Sequence, residues 1–169
     1  SGALSMITVI CCMIFAAISG SGVATVAAIG GIMIPAMIRE NYDAGYAAAI
    51  SAAAGAMGPI IPPSITFVMY ASTIQGISVS DLFTAGIIPG LMMGLVLLLY
   101  GNFMTKKHHW GVQTPKTSGK EKLAALKDAS WALLMPVIIL GGIYSGICTP
   151  TEAAVIACSY GLLVGFFVY

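Results

Sequence analysis

The chain has 169 residues, of which 59% are hydrophobic and only 8% charged, and its formal net charge is +1. Soluble domains carry about 25% charged residues, so this composition excludes an ordinary water-soluble fold and places the chain in a bilayer. The near-neutral total gives no case for nucleic acid as a partner; what is informative is the distribution, since six of the seven basic residues lie between Lys106 and Lys127.

The start, SGALSMITV, has no initiator Met and no basic region, so it does not read as a signal peptide but as an internal piece of a longer protein. From Met6 to Ile38 there is no charged residue. A continuous helix of that length would measure about 50 Å, whereas a hydrocarbon core is about 30 Å thick. The run is interrupted at Ser19-Gly20-Ser21-Gly22, where glycine frees the backbone and serine favours turns and caps. Each half is then expected to be too short to cross alone, which predicts a re-entrant hairpin over residues 1–38 that turns at SGSG. Irregular backbone at that depth has to be buried in protein or line a wet cavity.

A polar loop, RENYD, follows, and then a second uncharged run from Ala44 to Gln75. It is broken in turn by GAMGPIIPPS. Pro59, Pro62 and Pro63 lack N–H groups and clash with carbonyls one turn back, and the residues before them avoid the α region. The helix is therefore expected to unwind around residues 58–62 and to restart near Pro63, a residue tolerated in a first turn. Residues 39–76 read as one broken transmembrane helix. Ser78-x-x-Asp81 has capping-box spacing ahead of an apolar run, giving a transmembrane helix over 77–104. Residues 105–130 read as a polar loop and an amphipathic arm helix opened by Ser118-x-x-Glu121, with Trp131 at the headgroup level. Thr149-Pro150-Thr151-Glu152 is a further start signal, with Thr149 as N-cap and Glu152 closing the box.

The two interruptions belong together. Each supplies freed carbonyls, hydroxyls and half-helix ends at mid-depth. Carbonyl oxygens and helix C-termini suit a small hard cation, and helix N-termini suit an anion. Ser19, Ser21, Thr25 and Ser64 add hydroxyl oxygens, and no thiolate or imidazole lies near, which favours sodium over any transition metal. No Asp or Glu stands within the two runs to act as a proton relay. Other chemistries fit poorly. Gly20-Ser21-Gly22-x-x-Thr25, with Glu40 further on, lacks the strand and third glycine of a dinucleotide fingerprint. His108 and His109 follow two lysines in a polar loop. The four cysteines, Cys11, Cys12, Cys148 and Cys158, have no metal-ligand spacing and read as packing residues. No nucleophile has a base beside it, so the chain does not read as an enzyme.

The stretches SGSGVATVAAIGGIMIPAM, GAMGPIIPPSITFVMYA and GGIYSGICTPTEAA resemble the large membrane subunit of TRAP transporters, the tripartite ATP-independent periplasmic family. The resemblance covers essentially the whole chain. It implies an all-α membrane protein of the ion-transporter superfamily, with inverted repeats, re-entrant hairpins, broken helices and an elevator motion, in a bacterial or archaeal inner membrane. It implies a small membrane subunit and a periplasmic substrate-binding protein as partners, sodium as the coupling ion, no other cofactor, and a small organic anion such as a dicarboxylate or sialic acid as substrate. Residues 131–169 would begin the second inverted repeat. Carried onto this sequence, a sodium site would use Ser19, Gly20, Ser21, Gly22, Gly58, Pro59 and Pro62, and substrate would meet Ser21, Thr25, Pro63 and Ser64. The alternatives are another sodium-coupled anion transporter of the superfamily, or a structural or channel-forming subunit that does not transport.

The positive-inside rule puts the segment between Lys106 and Lys127 in the cytoplasm, with Arg39 on the same side. A cysteine placed at Thr117 is therefore expected to resist an impermeant thiol reagent in intact cells and to react once the membrane is opened. Ready labelling from the periplasm would reverse the orientation.

Overall fold

The structure is a computed structural model; it describes residues 3–111 and 119–167, with residues 119–128 described by their backbone alone. Every regular element among the described residues is helical. The chain divides into two compact units, residues 1–114 and 115–169, and each is taken by itself.

In the first unit α1 (Ala3–Ser19) ends at Gly20, whose φ of +61° is a left-handed turn that glycine adopts without strain. Ser21 then caps α2 (Gly22–Thr25), its hydroxyl accepting from the Ala24 N–H. A π turn (Val26–Gly30) and α3 (Gly31–Arg39) continue the same arm. Ser19 meets Thr25 beside the turn and Thr8 meets Met37 at the other end, so the two arms run antiparallel as a helical hairpin. The expectation that each half is too short to cross does not hold for the second arm. The break occupies only Gly20 and Ser21, and Gly22–Arg39 is an 18-residue apolar arm, long enough to count as a candidate span.

Asp43 caps α4 (Ala44–Gly55) by accepting from the Tyr46 N–H at 2.8 Å. The chain is then irregular until α5 (Ile65–Thr73). The unwound stretch is thus longer than the five residues expected, and the restart falls two residues later, at Ile65. Ser64 is the N-cap, with extended φ and ψ and its hydroxyl on the Phe67 N–H, so Pro63 stands outside the helix. At 12 and 9 residues, α4 and α5 are each too short to cross a hydrocarbon core unaided.

The last helix of this unit, α6 (Val79–His108), starts at a Ser78 cap as expected. Its large side chains, among them Leu91, Leu95, Leu99 and Phe103, face outward. Its inner face carries Phe83, Gly86, Gly90, Gly94 and Gly101. A Cβ at Gly86 would lie 2.5 Å from the Ile60 carbonyl oxygen, and one at Gly101 would lie 2.7 Å from Ser5 Oγ. Large residues outside and small ones at the contact is the pattern of membrane helices, where lipid is as apolar as leucine and close backbone approach holds helices together. Val9, Cys12, Met37, Ala47, Ile50, Ala54 and Met57 form the core between these helices.

The second unit pairs α7 (Gly119–Tyr144) with α8 (Pro150–Phe167). The arm and the apolar segment after it are one helix, unbroken through Pro136. The Thr149–Glu152 capping box forms as read: the Thr149 N–H donates to Glu152 Oε2 at 2.8 Å, and the Glu152 N–H donates back to Thr149 Oγ1 at 3.4 Å. Ser118, the expected cap of α7, lies outside the described residues. Val79–His108 and Pro150–Phe167 join Gly22–Arg39 as helices long and apolar enough to cross a membrane.

Near the open end of the hairpin, the Trp110 ring lies 4.8 Å from Tyr46 and 4.5 Å from His108. Tyr46 Oη and Ser5 Oγ share a buried hydrogen bond of 2.7 Å. The neighbouring Tyr42 hydroxyl is buried too; Thr105 and Ser5 face it, but neither reaches hydrogen-bond geometry. Burial pushes the Tyr42 phenol above its ordinary pKa, so it stays neutral. Removing an unpartnered buried hydroxyl relieves its desolvation, while removing one partner of a made bond strands the other. Tyr42→Phe is therefore expected to keep or raise the melting temperature of the full-length protein in detergent. Tyr46→Phe should lower stability by about 1 kcal/mol. The reverse order would show that the Tyr42 hydroxyl is satisfied.

Candidate functional site

The hairpin turn and the break between α4 and α5 meet in space. Gly58 lies against the backbone of the turn: a Cβ there would stand 2.6 Å from both the Gly22 nitrogen and the Ser21 carbonyl carbon. A Cβ on Gly22 would come within 2.9 Å of the Gly55 carbonyl oxygen and 3.2 Å of the Pro59 ring. One on Gly55 would collide with Val26. On the other side of the turn, the Ile65 N–H donates to the Gly20 carbonyl at 3.4 Å, and a Cβ on Gly20 would meet the Pro63 carbonyl oxygen at 2.5 Å. Four glycines thus let two interruptions interlock as backbone against backbone. Of these, Gly20, Gly22 and Gly58 were expected from sequence. Gly55 was not, although its place at the end of α4 and directly before the proline stretch was a usable signal.

The hydroxyls are arranged around this contact. Ser19 and Ser21 are partly exposed. Ser19 Oγ accepts from the Ser21 N–H at 3.3 Å, and lies 3.3 Å from both the Ser21 carbonyl and Thr25 Oγ1. Thr25 is fully buried and donates to the Ser21 carbonyl at 2.8 Å. Ser64 is buried as well; it donates to the Pro59 carbonyl at 2.6 Å and caps Phe67. Pro62 is buried, whereas Pro59 and Pro63 are partly exposed, and the Pro62–Pro63 peptide bond is cis. Among the described residues no hydrogen bond reaches the carbonyls of Gly58 or Pro62.

Helix ends of both signs converge here. α1 and α4 end at the contact with their carbonyl, negative ends. The arm beginning at Gly22 and α5 begin there with their N–H, positive ends. No Asp, Glu, Lys, Arg or His belongs to residues 19–25 or 55–65. The chemistry on offer is therefore neutral oxygen ligation and dipole ends, with no charged side chain to serve as acid or base.

A family model described as "Tripartite ATP-independent periplasmic transporter, DctM component" matches residues 1–169. The chain belongs to the DctM family. It is 51% identical, over 99% of its length, to the isethionate TRAP transporter permease protein DctMQ of Oleidesulfovibrio alaskensis. It is 46% identical over the same share to the C4-dicarboxylate TRAP transporter large permease protein DctM of Pseudomonas aeruginosa. It is also 37% identical, over its full length, to the sialic acid TRAP transporter large permease protein SiaM of Vibrio cholerae. The chain spans 26% of the first relative and 39% of the other two. The family description and the relatives' names are those of transporter permease components, not of enzymes, and the described residues include three helices long and apolar enough to cross a membrane.

The interlock yields a prediction. Gly58→Ala forces a methyl into the backbone of the hairpin turn, and backbone cannot rotate aside as a flexible side chain can. The full-length permease is expected to lose stability by at least about 1–3 kcal/mol, the range of overpacked cores, seen as a lower melting temperature and folded yield. Gly31→Ala is the control, since nothing lies within 4 Å of its Cβ position, and alanine in an exposed helix position should be neutral or stabilising. Equal behaviour of the two variants would show that the close approach at Gly58 is not needed.

Proposed function

We propose that this chain forms part of the permease of a TRAP transporter that takes up a small organic anion by coupling to sodium. The observation that carries the reading is the interlock of the hairpin turn with the proline break. Two interruptions that each expose backbone oxygen and helix ends would be a liability in an apolar chain if they stood apart. Joined, they form one polar locus between apolar helices, the arrangement secondary transporters use for ions and substrates.

On this reading the hairpin is re-entrant and sodium lies near the ends of α1 and α4, with Ser19 and Ser21 hydroxyls and the free Gly58 and Pro62 carbonyls as candidate ligands. Oxygen donors without sulfur or imidazole suit a hard cation. The anion would face the positive ends of the Gly22 arm and α5. Related permeases are named for isethionate, C4-dicarboxylates and sialic acid, all anionic, and this supports the substrate class. The family description supports a tripartite system, with a small membrane subunit and a periplasmic binding protein as partners, and the superfamily resemblance supports an elevator movement of the locus across the membrane.

The test is uptake by the complete transporter reconstituted in vesicles, with isethionate, succinate and sialic acid as probes, under an inward sodium gradient and with choline replacing sodium. Uptake that follows the sodium gradient supports the proposal. Flux indifferent to sodium makes the protein a channel or a differently coupled carrier. Within this assay Ser19→Ala and Ser21→Ala are each expected to raise the sodium concentration for half-maximal uptake by up to about tenfold, the equivalent of one lost hydrogen-bond-scale interaction. Because Ser21 also caps α2, rates are normalised to folded complex. A change in yield alone, with the parental sodium dependence, would leave both serines as caps.

A further inference from the structure

We propose that Thr25 is a positioning residue, whose buried hydroxyl fixes the oxygens of the hairpin turn for sodium and does not itself touch substrate or ion. The inference rests on the sodium reading above.

Thr25 is fully buried, and its hydroxyl is committed to a hydrogen bond within the turn and not left open to the locus. Its single hydroxyl proton is placed on the Ser21 carbonyl at 2.8 Å, the same oxygen that accepts the Thr25 backbone N–H at 3.0 Å. A carbonyl oxygen has two lone pairs, and these two donors fill them. Ser21 therefore contributes its hydroxyl to the locus and not its carbonyl. The consequence passes to Ser19. Its oxygen accepts from the Ser21 N–H, and its own proton goes to Thr25 Oγ1 at 3.3 Å, because the Ser21 carbonyl, also 3.3 Å away, is already filled. One lone pair on Ser19 is left, and it is free to ligate a cation. Without the Thr25 hydroxyl, the Ser21 carbonyl loses a donor, and the Ser19 proton gains freedom to turn toward that carbonyl or into the locus. A hydroxyl that can turn its proton toward the cation is a poorer ligand than one held with a lone pair outward.

The position also suits this role in the fold. Thr25 closes the first turn after the Ser21 cap and directly precedes the π turn Val26–Gly30. Threonine bonded back to the carbonyl four residues earlier tends to bend a helix, and π turns commonly mark functional sites. The Thr25–Ser21 bond thus ties the cap to the irregular turn that seats Val26 against Gly55.

The experiment compares Thr25→Val, Thr25→Ser and Thr25→Ala in the full-length permease, purified in detergent. Thermal unfolding is followed as sodium chloride replaces choline chloride at constant ionic strength. Valine keeps the shape and removes the hydroxyl, while serine keeps the hydroxyl and removes the methyl. The sodium midpoint of the melting-temperature rise is expected to increase about three- to tenfold in Thr25→Val and Thr25→Ala, the range one hydrogen bond between uncharged groups supports. It should return to the parental value in Thr25→Ser, whatever the three variants do to the sodium-free melting temperature. If Thr25→Val does not fold, the Ser and Ala pair decides, since both lack the methyl and differ in the hydroxyl. A parental midpoint in the variants without a hydroxyl, or a serine variant shifted as far as alanine, overturns the proposal. A parental protein with no sodium response overturns the sodium reading itself, visibly and before any variant is compared, and this inference falls with it.

Discussion

Everything in the first unit depends on one contact, the backbone of Gly58 pressed against the backbone of Ser21 and Gly22. Side chains between the hairpin and the broken helix would hold the two interruptions apart by the width of a methyl group or more. With none there, the turn enters the break, and the Gly20 carbonyl reaches the Ile65 N–H at the start of α5. The same logic extends outward. Gly86 and Gly90 on α6 admit Ile60 and Ile61, so the unwound stretch is clamped between the hairpin on one side and a glycine-faced helix on the other. Association of apolar helices in lipid gains little from the hydrophobic effect, and close packing has to supply what burial does in water.

The unwound stretch between α4 and α5 then has to satisfy its polar backbone in an apolar setting. The Gly58 N–H bonds to Gly55, and the Ile60 and Ile61 N–H groups both bond to the Met57 carbonyl. Pro59, Pro62 and Pro63 have no N–H to satisfy. The prolines therefore act twice. They forbid a continuous helix, and they delete the donors that the break would otherwise leave unpaired. Carbonyls are the groups left over, and the Ser64 hydroxyl takes up that of Pro59. A segment built this way is rich in acceptors and poor in donors, which is the polarity a cation needs.

Much of this was legible in the sequence because it follows from residue chemistry acting locally. Glycine and serine marked the turn, three prolines marked the break, and the Ser78 and Thr149 caps stand where their spacing put them. The boundaries were less legible. Pro63 and Ser64 each suit a helix start; the serine won because its hydroxyl can reach the Phe67 N–H, a preference that spacing alone does not rank. The length of the second arm was misjudged because all four residues of SGSG were assigned to the break, when the left-handed Gly20 and the Ser21 cap suffice to turn the chain. The glycine face of α6 carried no signal in an apolarity pattern, because in lipid both faces are apolar and the contact is marked by size. The burial of Thr25 was hidden as well, since spacing does not tell a buried hydroxyl beside a turn from an open one.

The absence of charge in the interlocked segments has a consequence for transport on the proposed reading. A carboxylate at mid-depth would bind a cation strongly, but it would have to be desolvated or neutralised whenever the site stood empty. Neutral carbonyls, hydroxyls and helix ends avoid that cost, because their dipoles exist whether or not an ion is present and hydrogen bonds already hold them in place. The same neutrality leaves the locus without a fixed cation for the anionic substrate. Sodium bound near the ends of α1 and α4 would supply the missing positive charge, so that ion and anion each raise the affinity for the other, a coupling that is reciprocal by thermodynamic necessity. Coupling of this kind needs the two ligands close together and the oxygens between them held still, which is the condition that an interlock of bare backbones can meet and a contact between flexible side chains cannot.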